Sequence, residues 1–148
     1  MLREAHSTWR GGPYSGKGTV STASGALTNT GYTFGTAPAD GPITTPCELL
    51  AAAIASCMSI MLAHEMAKAG MKPAAIDTHA ALTLNDTADQ WRIIGAHLTI
   101  IARTADHESN VFQQAVESAR RACPIWRALR LDGTCEARLI SLAAPAFI

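Results

Sequence analysis

Residues 45–70 read TPCELLAAAIASCMSIMLAHEMAKAG. Thr45 suits the cap of a helix, Pro46 its first residue, and Glu48, three positions after the cap, the return half of a capping box. The spacing predicts a helix from there to about Gly70. Through Met61 that helix is apolar on nearly every side, leaving no polar face for water. It must be buried, and the rest of the chain has to supply what buries it.

Upstream, STWRGGPYSGKGTVSTASGALTNTGYTFGTA is rich in Gly, Thr and Ser, with β-formers at Trp9, Val20, Tyr32 and Phe34. This composition predicts a meander of short strands joined by turns. Downstream, Ile76, Thr78, Ala80, Leu82 and Leu84 alternate with other residues, NDTAD supplies a turn, and WRIIGAHLTIIAR returns as a second strand, a hairpin pattern. Val111, Phe112, Ala115, Val116 and Ala119 recur at helical spacing behind Ser109, a candidate N-cap, and Pro124 ends that helix just past Cys123. A last strand is expected with Leu131, Cys135, Ala137 and Leu139 on one face. Strands first, then a buried helix, a hairpin, a helix and a strand make an α+β chain with antiparallel strands around a long helix.

The 148 residues are 48% apolar and 16% charged, enough for one sizeable core, so a single domain over 1–148 is expected. Formal net charge is zero, which argues against nucleic acid or an anionic membrane as partner. MLREAHSTWRGG carries charges and glycine where a secretory signal needs an apolar run, and the sequence is read as having no segment of transmembrane length. The expected location is the cytoplasm. There, four cysteines do not form a structural disulfide framework, so each is packing, metal ligand or redox group.

Two motifs fall short of their chemistry. GGPYSGKG spaces Gly11, Gly16 and Lys17 like a phosphate loop, but Gly18 replaces the Ser or Thr and a strand pattern follows, so a turn between strands is expected. His64-Glu65 opens like a zinc-protease helix, but Lys68 stands where the second histidine belongs, and no CxxC exists; no metal is expected. Arg120, Arg121, Arg127 and Arg130 suit helix C-termini, and can also act on a nearby thiol. Cys135 reads as packing on a strand face. By periodicity alone Cys57 reads the same way, in an apolar helix, whereas Pro124 can start a new helix and leave the Cys123 thiol at its positive end.

Three stretches taken together point further: GKGTVSTASGAL with YTFGT, TTPCELLAAAIASCMSIML, and ACPIWRAL. They resemble the osmotically inducible protein C (OsmC) and organic hydroperoxide resistance family, closer to the first branch, over nearly the whole chain from about Trp9. The resemblance implies an intertwined α+β homodimer with active sites at its interface and no metal, flavin or haem. It implies reduction of hydroperoxides, with Cys57 attacking the peroxide, Cys123 resolving the sulfenic acid to a disulfide, and an external dithiol reducing that disulfide.

The same resemblance also exposes a departure. Family members hold an arginine and a glutamate beside the reactive cysteine; here the corresponding positions are Ala37 and Cys47. Glu48 is the neighbour of that second position, but it lies nine residues from Cys57, roughly 13 Å along a helix, and has its capping task. Cys47 is ten residues from Cys57, roughly 15 Å, too far for a bond within one helix, since a disulfide needs Cα atoms within about 7 Å. Without a cation the Cys57 thiol is expected above its reference of about 8.5, and the reaction slow. Arg10, Lys17, a late arginine or the partner chain are the candidate substitutes. Two readings follow: a thiol-dependent hydroperoxide reductase of oxidative or osmotic stress defence, favouring organic peroxides if its pocket is apolar, or a relative that binds a small apolar ligand or serves as a slow thiol sensor.

Overall fold

The computed structural model describes residues 1–34, 42–87, 90–105, 108–130 and 132–142. They form two compact units, Met1–Leu50 and Ala51–Ile148.

In the first unit, β1 (Ala5–Arg10), β2 (Lys17–Thr22) and β3 (Thr30–Tyr32) make an antiparallel sheet in that order. Arg10 pairs with Lys17, so the glycine-rich segment between them is a turn between strands, as its sequence predicts. Gly11 takes φ +100, in the left-handed region, and Gly16 N–H donates to Gly12 C=O at 2.8 Å. Gly18 is required for a different reason: a Cβ there would run into the Tyr32 ring, which stacks obliquely against Trp9 with centroids 5.6 Å apart. Phe34, expected with the strands, lies just past β3.

Helix α1 (Pro46–Lys68) starts as the sequence dictates. Thr45 N–H donates to Glu48 Oε2 and Glu48 N–H to Thr45 Oγ1, each at 3.2 Å, a complete capping box. It ends at Gly70, φ +79, where Gly70 N–H meets Ala67 C=O at 3.0 Å and Met71 N–H meets Met66 C=O at 2.9 Å, the paired bonds of a Schellman stop.

In the second unit β4 (Pro73–Thr87) and β5 (Gln90–Thr104) form the hairpin, and β6 (Gly133–Ser141) lies parallel to β5, giving the order β4-β5-β6. A parallel neighbour cannot be reached by a tight turn, so the chain crosses over through α2 (Ser109–Ala122) and α3 (Pro124–Leu129). The core gathers Ile54, Met58, Leu62 and Met66 of α1, Ala96, Leu98, Ile100 and Ala102 of β5, and Phe112, Ala115, Val116 and Ala119 of α2. Ser59 Oγ donates to Thr78 Oγ1 at 2.8 Å and ties α1 to β4.

Three expectations need amendment, and a fourth is met in part. Within one chain α1 buries a single i, i+4 stripe, because the unit offers it one apolar surface; Ile60 on another side is 64% exposed. At 23 residues, with a mean hydropathy of 1.8 over its most apolar window, α1 does reach the length and composition of a membrane span, although it packs that stripe into a protein core. The N-cap of α2 is Glu108 rather than Ser109: Phe112 N–H already bonds Glu108 C=O at 3.0 Å, which places Ser109 inside the first turn. Cys135, Ala137 and Leu139 share the half-buried face of β6, while Leu131, expected with them, lies outside the described residues, as does part of the NDTAD turn.

Candidate active site

Cys123 owes its place to the proline after it. Pro124 pushes the preceding residue out of the helical region, and Cys123 adopts φ −62, ψ 113. It is therefore at once the residue that closes α2, its N–H on Ala119 C=O at 2.8 Å, and the one that caps α3, its C=O receiving Arg127 N–H at 3.1 Å. Its side chain takes the capping acceptor role usual for a hydroxyl: Cys123 Sγ receives the Trp126 N–H at 3.4 Å. Cys123 is fully buried. On α1, Cys57 sits beside buried Met58 and is half-buried itself.

These two side chains meet. Cys123 Sγ and Cys57 Sγ are 3.0 Å apart, in hydrogen-bonding contact, and both are free thiols. The Cys57 thiol is raised above the usual cysteine range. The first cause is burial, and the second is the hydrogen bond to Cys123, which favours the protonated form; the Ile125 backbone N–H pulls the other way, and charge on Cys123 adds to the rise. None of these causes is a cation. The first turn of α3 thus bears on both sulfurs: the Trp126 N–H donates to Cys123 Sγ, and the Ile125 N–H lowers the Cys57 thiol part of the way back. The structure bears out the expectation that Pro124 starts a new helix with the Cys123 thiol at its positive end, whereas the influence of Ile125 on Cys57 was not foreseen.

The other expected participants have other tasks. Ala37 lies outside the described residues. Cys47 is half-buried in the first turn of α1, and Glu48 is held by Thr45 N–H and by Thr44 Oγ1 at 2.9 Å. Arg120 pairs with Glu117 at 3.2 Å, and Arg121 donates to Ser118 Oγ at 3.4 Å. Glu65 pairs with Lys68 at 2.8 Å. Burial raises the Cys135 thiol, with Arg120 the largest opposing influence, which leaves Cys135 a weak nucleophile.

The mixed α+β architecture is one already known in solved structures. The chain matches an OsmC-like protein from Mycoplasma pneumoniae with a TM-score of 0.77 at 10% identity, covering 95% of this chain and 98% of that one. It matches the organic hydroperoxide resistance protein OhrB of Bacillus subtilis with a TM-score of 0.65 at 23% identity, covering 93% and 98%. In sequence it is 33% identical over 138 residues to peroxiredoxin OsmC of Escherichia coli (strain K12), covering 93% of this chain and 95% of that protein. The family model described as OsmC-like protein matches residues 39–136. The chain belongs to the OsmC-like family.

Proposed function

We propose that this protein is a thiol-dependent hydroperoxide reductase whose reactive pair is Cys57 and Cys123. The observation that carries the reading is the 3.0 Å contact between the two sulfurs. The Cys57 thiolate attacks the O–O bond, takes one oxygen as sulfenic acid, and releases an alcohol or water after proton uptake. Cys123 then attacks the sulfenic sulfur, forming the disulfide and releasing water, and an external dithiol returns both thiols. Closure from 3.0 Å to a bond of about 2.05 Å needs roughly 1 Å of travel.

The chain works as one domain within a cytoplasmic homodimer, with the cysteine pairs at the interface. Support for the dimer comes from α1, whose apolar sides outside the Ile54–Met66 stripe remain partly exposed, with Ile60 at 64%. Substrate and reductant follow from the likeness to the Escherichia coli peroxiredoxin.

A second reading, a slow thiol sensor or small-ligand binder, is favoured by the raised Cys57 thiol and by an open groove of about 580 Å³ between α1 and the β4–β5 sheet. Ala52, Ala55, Ile76 and Ile101 give it apolar walls, with Ser56 and Thr78 among its polar groups.

Stopped-flow thiol titration against cumene hydroperoxide and hydrogen peroxide separates the two readings. Rapid loss of both thiols, abolished in Cys57→Ser and halted at a sulfenic acid in Cys123→Ser, is expected of the reductase. Reaction no faster than a free thiol's in the parent chain would overturn it in favour of the second reading.

A further inference from the structure

Trp126 carries the amide that holds Cys123 Sγ, and its ring is held in turn by groups outside α3. The Arg120 guanidinium lies over that ring, 5.5 Å from the centroid, within cation–π range. The same guanidinium donates from Nη2 to Gly133 C=O at 3.2 Å, where β6 begins, and from Nη1 to Glu117 Oε1 at 3.2 Å on α2. Its Nε is buried with no hydrogen-bond partner among the described residues. Gly133 closes the arrangement, since a Cβ there would overlap the outer edge of the Trp126 ring. Three elements that share no hairpin, α2, α3 and β6, therefore converge on one indole, and that residue's backbone N–H ends on the sulfur 3.0 Å from Cys57.

We infer that Arg120 is a positioning residue for disulfide formation: with Gly133 it clamps Trp126, and the clamp fixes the capping turn that presents Cys123 Sγ to Cys57. The inference rests on the dithiol reading above. The step it serves is Cys57–SOH plus Cys123–SH giving Cys57–S–S–Cys123 and water, in which the sulfenic sulfur is reduced as the second thiol is oxidised. Arg120 bonds to Glu117 and Gly133 and to neither sulfur, so its loss is expected to spare the first oxidation step and slow the second.

The test separates those steps. In Arg120→Met, sulfenic acid formation at Cys57, followed by dimedone trapping and mass spectrometry, is expected to keep its rate within about twofold, while conversion to the disulfide slows about tenfold and trapped sulfenate rises. Arg120→Lys keeps the Glu117 pair but loses the planar contact, and is expected to fall between. Gly133→Ala displaces the ring from the other side and should show the same split. Glu117→Gln spares the clamp and should not. Equal slowing of both steps, or a lowered melting temperature with both rates unchanged, would mean a structural role only and overturn the inference. Should Arg120→Met not fold, Arg120→Lys and Gly133→Ala decide by the same criteria. A second readout needs no peroxide: equilibration with a dithiol buffer should show the disulfide of Arg120→Met about tenfold less favoured, a potential about 30 mV less negative. If the parent chain ignores peroxide, the reductase reading fails, while this equilibrium still upholds or overturns the clamp.

Discussion

Cys57 Sγ and Cys123 Sγ touch at 3.0 Å across 66 residues of chain, in hydrogen-bonding contact, with the Trp126 N–H of α3 on Cys123 Sγ. That contact brings the partner thiol within reach but does not make Cys57 acidic. Burial and the hydrogen bond with Cys123 raise its thiol, and the Ile125 N–H offsets only part of the rise. Thiolate is the nucleophile, so the oxidation rate of Cys57 should climb about tenfold per pH unit through neutrality and level off only above the usual cysteine range, near 8.5. The same shift sets a stability trend: above about pH 8.5 the unfolded thiol loses its proton before the folded one, so the reduced protein should lose stability as pH rises there. Stopped-flow rates and denaturation midpoints between pH 6 and 10 check both, and a rate plateau below pH 8 would refute the first.

Because the sulfurs begin at contact distance, resolution does not require either helix to unwind. Sulfenic acid on Cys57 should therefore be short-lived, and a second peroxide should seldom reach it. Under a large excess of hydroperoxide the parent chain is expected to stop at the disulfide, whereas Cys123→Ser runs on to sulfinic acid. Intact-mass measurement after a timed exposure distinguishes them; sulfinic acid accumulating equally in both would show that Cys123 does not intercept the intermediate.

The capping box gives a control far along the helix from the chemistry. Thr45→Ala removes the oxygen that holds Glu48 N–H at 3.2 Å and should cost about 1 kcal/mol. The urea midpoint should fall with an unchanged slope, while the Cys57 oxidation rate stays as in the parent. A changed rate would mean that the start of α1 is coupled to its middle more tightly than capping explains.

Much of this fold could be read from local chemistry. Thr45-Pro46-x-Glu48 starts α1 where it was predicted, Gly70 stops it, and the alternation around Ile76–Leu82 and Ala96–Ala102 forms the paired β4–β5 ladder. Features set by tertiary contact were harder. Nothing local in GTCEARLIS says that β6 runs parallel to β5, because that depends on how α2 and α3 cross over. The site divides in the same way. Cys-Pro announces a cap and its amide on Cys123, but the contact of that sulfur with Cys57 depends on how α3 meets α1. Arg120 looked like one of four helix-end charges until Trp126 and Gly133 came under it.

Ile60 tests how α1 is covered. An apolar helix that buries only Ile54, Met58, Leu62 and Met66 within its own chain leaves apolar surface in water at about 25 cal/mol per Å² of unfavourable free energy, and Ile60 is 64% exposed. A second copy of the chain is the proposed cover, and a carboxylate in a dry interface would be left unpaired. Ile60→Asp is therefore expected to convert a dimer to a monomer at micromolar concentration, read by sedimentation velocity, without unfolding the chain, because the side chain makes no part of the buried stripe. A parent chain that sediments as a monomer would remove the dimer from the proposal. A dimer unaffected by the substitution would move its interface to another face, with the dithiol chemistry then complete within each chain.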